Sequence, residues 1–198
     1  MAPRIAIVQG HPDPIGSHFC HALADAYAEG AAAAGHQVDR IDVAAMDIPF
    51  AQSRADLEGP PPEPIARAQA VLTHATHIVL VFPIWNGGMP ARLVAFLEHT
   101  FRKAFVFPDS PAGARLGFAA YFTQRKALTG KSARVVVTMQ MPAWLYRWFF
   151  RPHLHRNPLK VSGVSPVRES LVGTVERLSV TRRDAWLARM RALGREAR

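Results

Sequence analysis

The chain has a single cysteine, Cys20, in 198 residues. That excludes an internal disulfide and any zinc site built on cysteine pairs, and Cys20 reads as a small buried residue. No apolar run approaches the ~18 residues of a membrane-spanning helix. The first ten residues have neither the apolar core nor the cleavage signal of a leader peptide. A cytoplasmic protein is the expectation. Carboxylates are scarce toward the C-terminus: residues 1–120 hold 8 Lys and Arg against 11 Asp and Glu, whereas residues 121–198 hold 16 against 4. The basic half is where an anion would bind, and nucleic acid, an acidic membrane surface and a phosphorylated cofactor are the three partners that suit it. No DNA- or RNA-binding motif accompanies the charge, so nucleic acid is set aside.

What is present is a core. Hydrophobic residues make up 49% of the chain, and at this length one domain, residues 1–198, is expected. Ile78 to Phe82 are consecutive apolar residues, which predicts a strand covered on both faces, as in a parallel α/β sheet. A loop with site-like chemistry follows. Pro83 ends the ladder, Trp85 offers a flat ring, Gly87 and Gly88 let backbone approach a ligand, and Pro90 suits the first turn of a helix carrying Leu93, Val94, Leu97 and Phe101. Open α/β sheets bind ligands at the carboxyl ends of such strands.

The other elements alternate in the same way. Arg4 to Gln9 is a short strand. The turn residues Gly10 to Ser17 then lead into a helix with Phe19, Ala22, Leu23, Ala26 and Tyr27 on one face, Ser17 as N-cap and Gly35 as stop. The first N–H groups of such a helix are unpaired and its dipole is positive there, so phosphate is the expected guest. A triphosphate-binding P-loop is rejected, because Gly10 and Gly16 enclose five residues and no lysine precedes Ser17. Gln37 to Val43 predicts a second strand, residues 42–64 a long connection ending in a stiff proline run, and residues 65–74 a helix. The region from Phe105 to Lys131 reads as an ordered loop that covers something.

Arg134 to Thr138 is the fourth strand, followed by a helix with Trp144, Leu145, Tyr146, Trp148, Phe149 and Phe150 that is apolar nearly all round. It predicts a subunit interface ahead of a membrane-surface contact. Pro166 to Gly173 supplies a fifth strand. Thr181 to Asp184 suggests a capping box before a last helix bearing Trp186, Leu187, Met190 and Leu193. Five strands and five helices fit a doubly wound, flavodoxin-like sheet of order 2-1-3-4-5, in which the loops after strands one, three and four converge.

These pieces resemble the flavodoxin-like NAD(P)H:quinone oxidoreductase family, of DT-diaphorase type. The resemblance is carried by Gly10-His-Pro-Asp-Pro14 with Ser17 to Leu23, by Phe82 to Ala91, by Gly130-Lys131 ahead of Val135 to Thr138, and by the Tyr146 helix. It implies a homodimer that binds a flavin, FAD ahead of FMN, with NAD(P)H as co-substrate and a quinone or similar electron acceptor. Pro83, Ile84, Trp85, Asn86 and Gly87 would bracket the isoalloxazine ring with Thr138, Met139, Gln140 and Met141. His11, Ser17, His18, Phe19 and Cys20 would lie near the phosphate arm. Many relatives carry an aromatic in place of Asn86 and a Gly-Gly pair in place of Gln140-Met141, which bears on substrate more than on flavin.

The chemistry implied is ping-pong hydride transfer through flavin N5, with the cofactor carrying the reaction. Tyr146 and His153 are the implied catalytic pair, a phenol backed by an imidazole at the edge of the ring. Seven residues separate them, about two helical turns. Spacing alone would also let His18 and His21, or His74 and His77, share a metal, but neither pair has a third ligand in sequence, and both read as surface or core histidines. The alternative to an enzyme is a flavin-bound ancillary subunit of a membrane potassium-efflux system, motivated by the basic half and the aromatic helix.

Overall fold

Alternation along the strands decides how the chain is layered. Side chains of even number in β1 (Arg4–Gln9) and β3 (His77–Pro83), such as Ala6, Val8, Ile78, Leu80 and Phe82, pack on one face; Ile5, Ile7, Val79 and Val81 pack on the other. The computed structural model describes residues 2–110, 123–149 and 158–198. In it, β2 (Gln37–Asp42), β4 (Ser132–Thr138) and β5 (Val167–Val172) complete a five-stranded parallel sheet in the order β2-β1-β3-β4-β5. This is the expected flavodoxin-like order.

Each face has its own helices. Helices α3 (Glu63–His74) and α4 (Ala91–Thr100) cover the even face with Ile65, Leu72, Leu93 and Phe96. Helices α1 (Phe19–Ala33) and α7 (Val180–Arg195) cover the odd face with Leu23, Tyr27 and Met190. Every residue of β3 is buried, which explains its unbroken apolar run: it has a helix layer on both sides. Full burial of a side chain such as Leu80 or Phe82 contributes roughly 1.5–3 kcal/mol. A charge at either position would lose that and add a desolvation penalty.

Several local expectations are corrected. The N-cap of α1 is His18, one residue after Ser17, and its side chain makes no capping hydrogen bond. The last helix is capped by Ser179, whose hydroxyl accepts from the Arg182 amide, so Thr181 lies inside the helix. Short helices α2 (Arg54–Glu58) and α5 (Lys103–Val106) are added to the expected ones. The first gives structure to the connection ahead of the proline run. Arg102, itself buried, donates to the carbonyls of Gly59 and Asp56 and so ties that connection to the end of α4. The aromatic segment forms α6 (Ala143–Phe149). Residues 111–122, on which part of the covering-loop expectation rests, fall outside the described residues. No helix among the described residues is long and apolar enough to cross a membrane.

Candidate functional site

The parallel register brings three strand ends to one edge. Gln9 of β1 sits opposite Val81, and Pro83 of β3 opposite Thr138 of β4, so the loops that follow open side by side. Together they form a cleft of about 640 Å³, inside the range of ~300–1,000 Å³ usual for small-molecule sites.

Twelve of the residues expected from sequence line it: His11, Ser17, His18, Phe19 and Cys20 on one wall, Pro83, Ile84, Trp85 and Asn86 on the second, Thr138, Met139 and Gln140 on the third. Gly87 and Met141 do not. Gly87 completes a tight turn in which the Trp85 and Gly88 backbones exchange hydrogen bonds of 2.9 and 3.0 Å. Both central residues have positive φ, 47° at Asn86 and 80° at Gly87. An Asn-Gly pair meets that demand with least strain, so Gly87 serves the turn rather than a close approach of ligand. The same demand accounts for asparagine at 86, where an aromatic would be strained. Met141 packs against the core.

Of the two residues expected to act as the catalytic pair, Tyr146 is placed differently from the rest. Tyr146 is buried within the even-face core and is absent from the cleft lining. Burial, and secondarily the Glu169 charge, raise its phenol above the ordinary range. His153 lies outside the described residues.

Three lining residues escaped the sequence reading: Val175, Glu176 and Arg183, which follow β5 and begin α7. Only strands one, three and four had been read as site-forming. A legible signal was there, since Arg183 opens the last helix in the basic half. Its guanidinium sits 5.0 Å from the Phe19 ring centre and donates to the carbonyls of Val175 and Leu178. Glu176 accepts from the Gln140 side-chain amide at 2.6 Å.

The cleft offers donors. In α1, the amides of His21 and Ala22 bond to the His18 carbonyl, which leaves the N–H groups of Phe19 and Cys20 without an acceptor among the described residues. Such a pair at a helix N-terminus fits a phosphate group. On the opposite walls the amides of Ile84 and Met139 are bonded to Thr138 and Val172, whereas those of Asn86 and Gln140 have no acceptor among the described residues. Trp85, 52% exposed, supplies an apolar face at the mouth. An aromatic ring system edged with acceptors and joined to a phosphate matches these groups.

The histidines cluster more tightly than their spacing suggested. The rings of His11 and His18 stack at 3.8 Å, and His21 lies edge-on to both at 5.3 and 5.6 Å. Asp13 accepts from His18 Nε2 at 2.7 Å, and that hydrogen bond is the main reason its carboxyl is held down to about 2. Sequence had offered no carboxylate for this pair. Even so, no group of three His, Cys, Asp or Glu able to hold a metal occurs among the described residues. His77 is buried at the start of β3 with Nδ1 2.7 Å from the Ser132 hydroxyl, well away from His74 on the exposed end of α3.

Comparison with known proteins gives one family match: the model described as flavodoxin-like fold matches residues 3–193. A curated relative, the FMN-dependent NADH:quinone oxidoreductase of Ruegeria pomeroyi, is 30% identical over 128 residues, 57% of this chain and 61% of the relative. The chain thus aligns with less than two thirds of that protein. Among solved structures, Smu.1420 from Streptococcus mutans is 25% identical with a TM-score of 0.77, covering 98% of this chain and 99% of that one. The NAD(P)H:quinone oxidoreductase of Methanothermobacter marburgensis has a TM-score of 0.76 at 18% identity, covering 99% and 97%. At that identity the likeness concerns the fold.

Proposed function

This chain belongs to the flavodoxin-like fold family, and we propose that within it the protein is a flavin-dependent NAD(P)H oxidoreductase that reduces quinones or similar small acceptors. The observation that carries the proposal is the three-walled cleft, with a phosphate-ready helix start on one side and unpaired amides on the other. The name of the Ruegeria relative supports the same activity and favours FMN over FAD. It also favours turnover over the regulatory-subunit alternative.

When bound, the flavin supplies hydride acceptance and hydride donation, so a single cleft would serve nicotinamide and acceptor in turn. The chain's own residues bind and orient. The amides of Phe19 and Cys20 would donate to the phosphate, those of Asn86 and Gln140 to ring edges, and Trp85 would cover an apolar face. Thr138 is buried and holds its hydroxyl against Cys20. The whole chain is taken as one flavin-binding unit that acts as a homodimer.

The test is colour followed by turnover. Purified protein, or protein incubated with FMN, should show bound-flavin absorption and should bleach with NADH or NADPH. Oxidation of the nicotinamide by a simple benzoquinone should then proceed steadily. Protein that takes up neither FMN nor FAD would end this reading.

A further inference from the structure

Between Arg4 and Arg40 the chain contains no lysine or arginine. The loop and helix start that fit a phosphate therefore carry no fixed positive charge of their own. Among the described residues, the fixed charges facing this end of the cleft can be named. Asp13 comes from the loop, and Glu176 and Arg183 from the far wall. Behind His21 lies a second cavity of about 340 Å³ containing the Asp25–Arg40 ion pair and Asp42. With that pair neutral, three carboxylates face one guanidinium among the described residues. The β3 and β4 loops add no charged side chain to the lining. The permanent charge of these described residues repels a dianion.

What the site does hold is imidazole. His11, His18 and His21 come from the loop and first turn of α1, with ring centres 3.8–5.6 Å apart. His11 is arranged to take either protonation state: Nδ1 accepts from the Asp13 amide at 3.2 Å when neutral, and faces the Asp13 carbonyl at 3.3 Å when it has a proton to donate. His21 directs Nδ1 to the Gly16 carbonyl at 2.8 Å, which leaves Nε2 as the nitrogen that gains a proton. His18 Nε2 is already held by the Asp13 carboxylate. Stacked imidazoles disfavour being charged together, and burial followed by the neighbouring His18 charge pushes His11 below its ordinary value. An anion beside them removes that repulsion.

We propose that His11, His18 and His21 form a proton-charged receptor for a phosphate monoester, so that binding of a phosphorylated flavin takes up protons and weakens as pH rises. The inference rests on the flavin reading above and adds its regulation. The sign follows from linkage: the anion favours protonated imidazole, so protonation favours the anion by the same factor. Histidine is the side chain whose ordinary range, near ~6.5, makes such coupling act around neutrality. Below ~6 the phosphate itself protonates and the gain levels off.

The experiment separates the phosphate from the ring. Flavin-free protein is titrated with FMN and with riboflavin at pH 6.5, 7.5 and 8.5, following flavin fluorescence. FMN should weaken by about 10-fold or more across that range while riboflavin changes by less than about 2-fold. Calorimetry at pH 7.5 in two buffers of different ionisation heat should show net proton uptake with FMN. His21→Gln should weaken FMN at pH 6.5 and flatten its slope, because it removes a ring whose Nε2 is free to gain a proton. Parallel slopes for FMN and riboflavin, no proton uptake, or an unchanged slope in His21→Gln would each overturn the inference while leaving the flavin reading intact. Failure of both flavins to bind at every pH would overturn the two together.

Discussion

The Cys20 thiol and the Thr138 hydroxyl meet at 3.1 Å, joining the first turn of α1 to the end of β4 across 118 residues of chain. Burial pushes the thiol up to about 12, against the opposing pull of that hydrogen bond. At pH 8 the thiolate fraction is then on the order of 10⁻⁴, too small for ready alkylation. Folded protein should resist iodoacetamide for hours and react at one site once denatured. Rapid labelling of native protein would show that the start of α1 opens.

Tyr146 lies in the core and not on the cleft lining. Tyr146→Phe should therefore change the rate of flavin bleaching by NAD(P)H less than about 3-fold. A loss of ten-fold or more in stopped flow, within the ~10² to 10⁴ range of general acid catalysis, would instead assign the phenol a part in proton supply.

Stability should fall with acid in a defined window. His77 is buried, and desolvation, then the charges of Arg134 and Arg168, press its imidazole down to about 4. Between ~6.5 and that value the unfolded chain binds a proton that the folded chain refuses, so stability is complete above the window and is lost as pH falls through it. The loss approaches roughly 3 kcal/mol. The urea midpoint at pH 4.5 should lie below that at pH 7, and His77→Gln should shrink the difference. A midpoint equally acid-sensitive in the variant would exclude His77 as its source.

Helices α1 and α7 cross with backbones in contact. A Cβ on Gly30 would stand 2.0 Å from the Arg191 carbonyl oxygen, and one on Gly194 2.1 Å from that of Tyr27. Backbone cannot step aside as a side chain can. Gly30→Ala should cost ~1–3 kcal/mol, or about 2–12 °C in Tm for a chain of this size, although alanine ordinarily favours a helix. An unchanged melting temperature would mean that the helices separate freely.

Trp144, Trp148 and Phe149 on α6 are 69%, 78% and 70% exposed in the single chain. So much apolar surface on one short helix needs cover, and a second copy is the expected partner. Light scattering at micromolar concentration should give about twice the chain mass, and Trp144→Ser with Trp148→Ser should return it to one. A monomeric parent protein would refute this.

Local pattern was enough for much of this molecule. The unbroken apolar run of β3, the short strands around it and the helical spacing of Leu23, Tyr27, Leu93 and Leu97 carry the sheet order, because burial imposes its period on residues close in sequence. Most of the cleft wall was legible for the same reason: a ligand loop follows its strand directly. Tertiary structure decided what depends on distant residues meeting. The approach of α7 put Glu176 and Arg183 on the cleft, the packing under α6 withdrew Tyr146 into the core, and the fold of residues 10–18 stacked His11 on His18. The turn at Asn86-Gly87 lies between these cases: its residues announce the bend, but only its position between β3 and α4 shows that the glycine serves backbone geometry and not the ligand. Periodicity reports which face is buried; which side chains share a charge or a proton is set by long-range packing, and no stretch of sequence contains that distance.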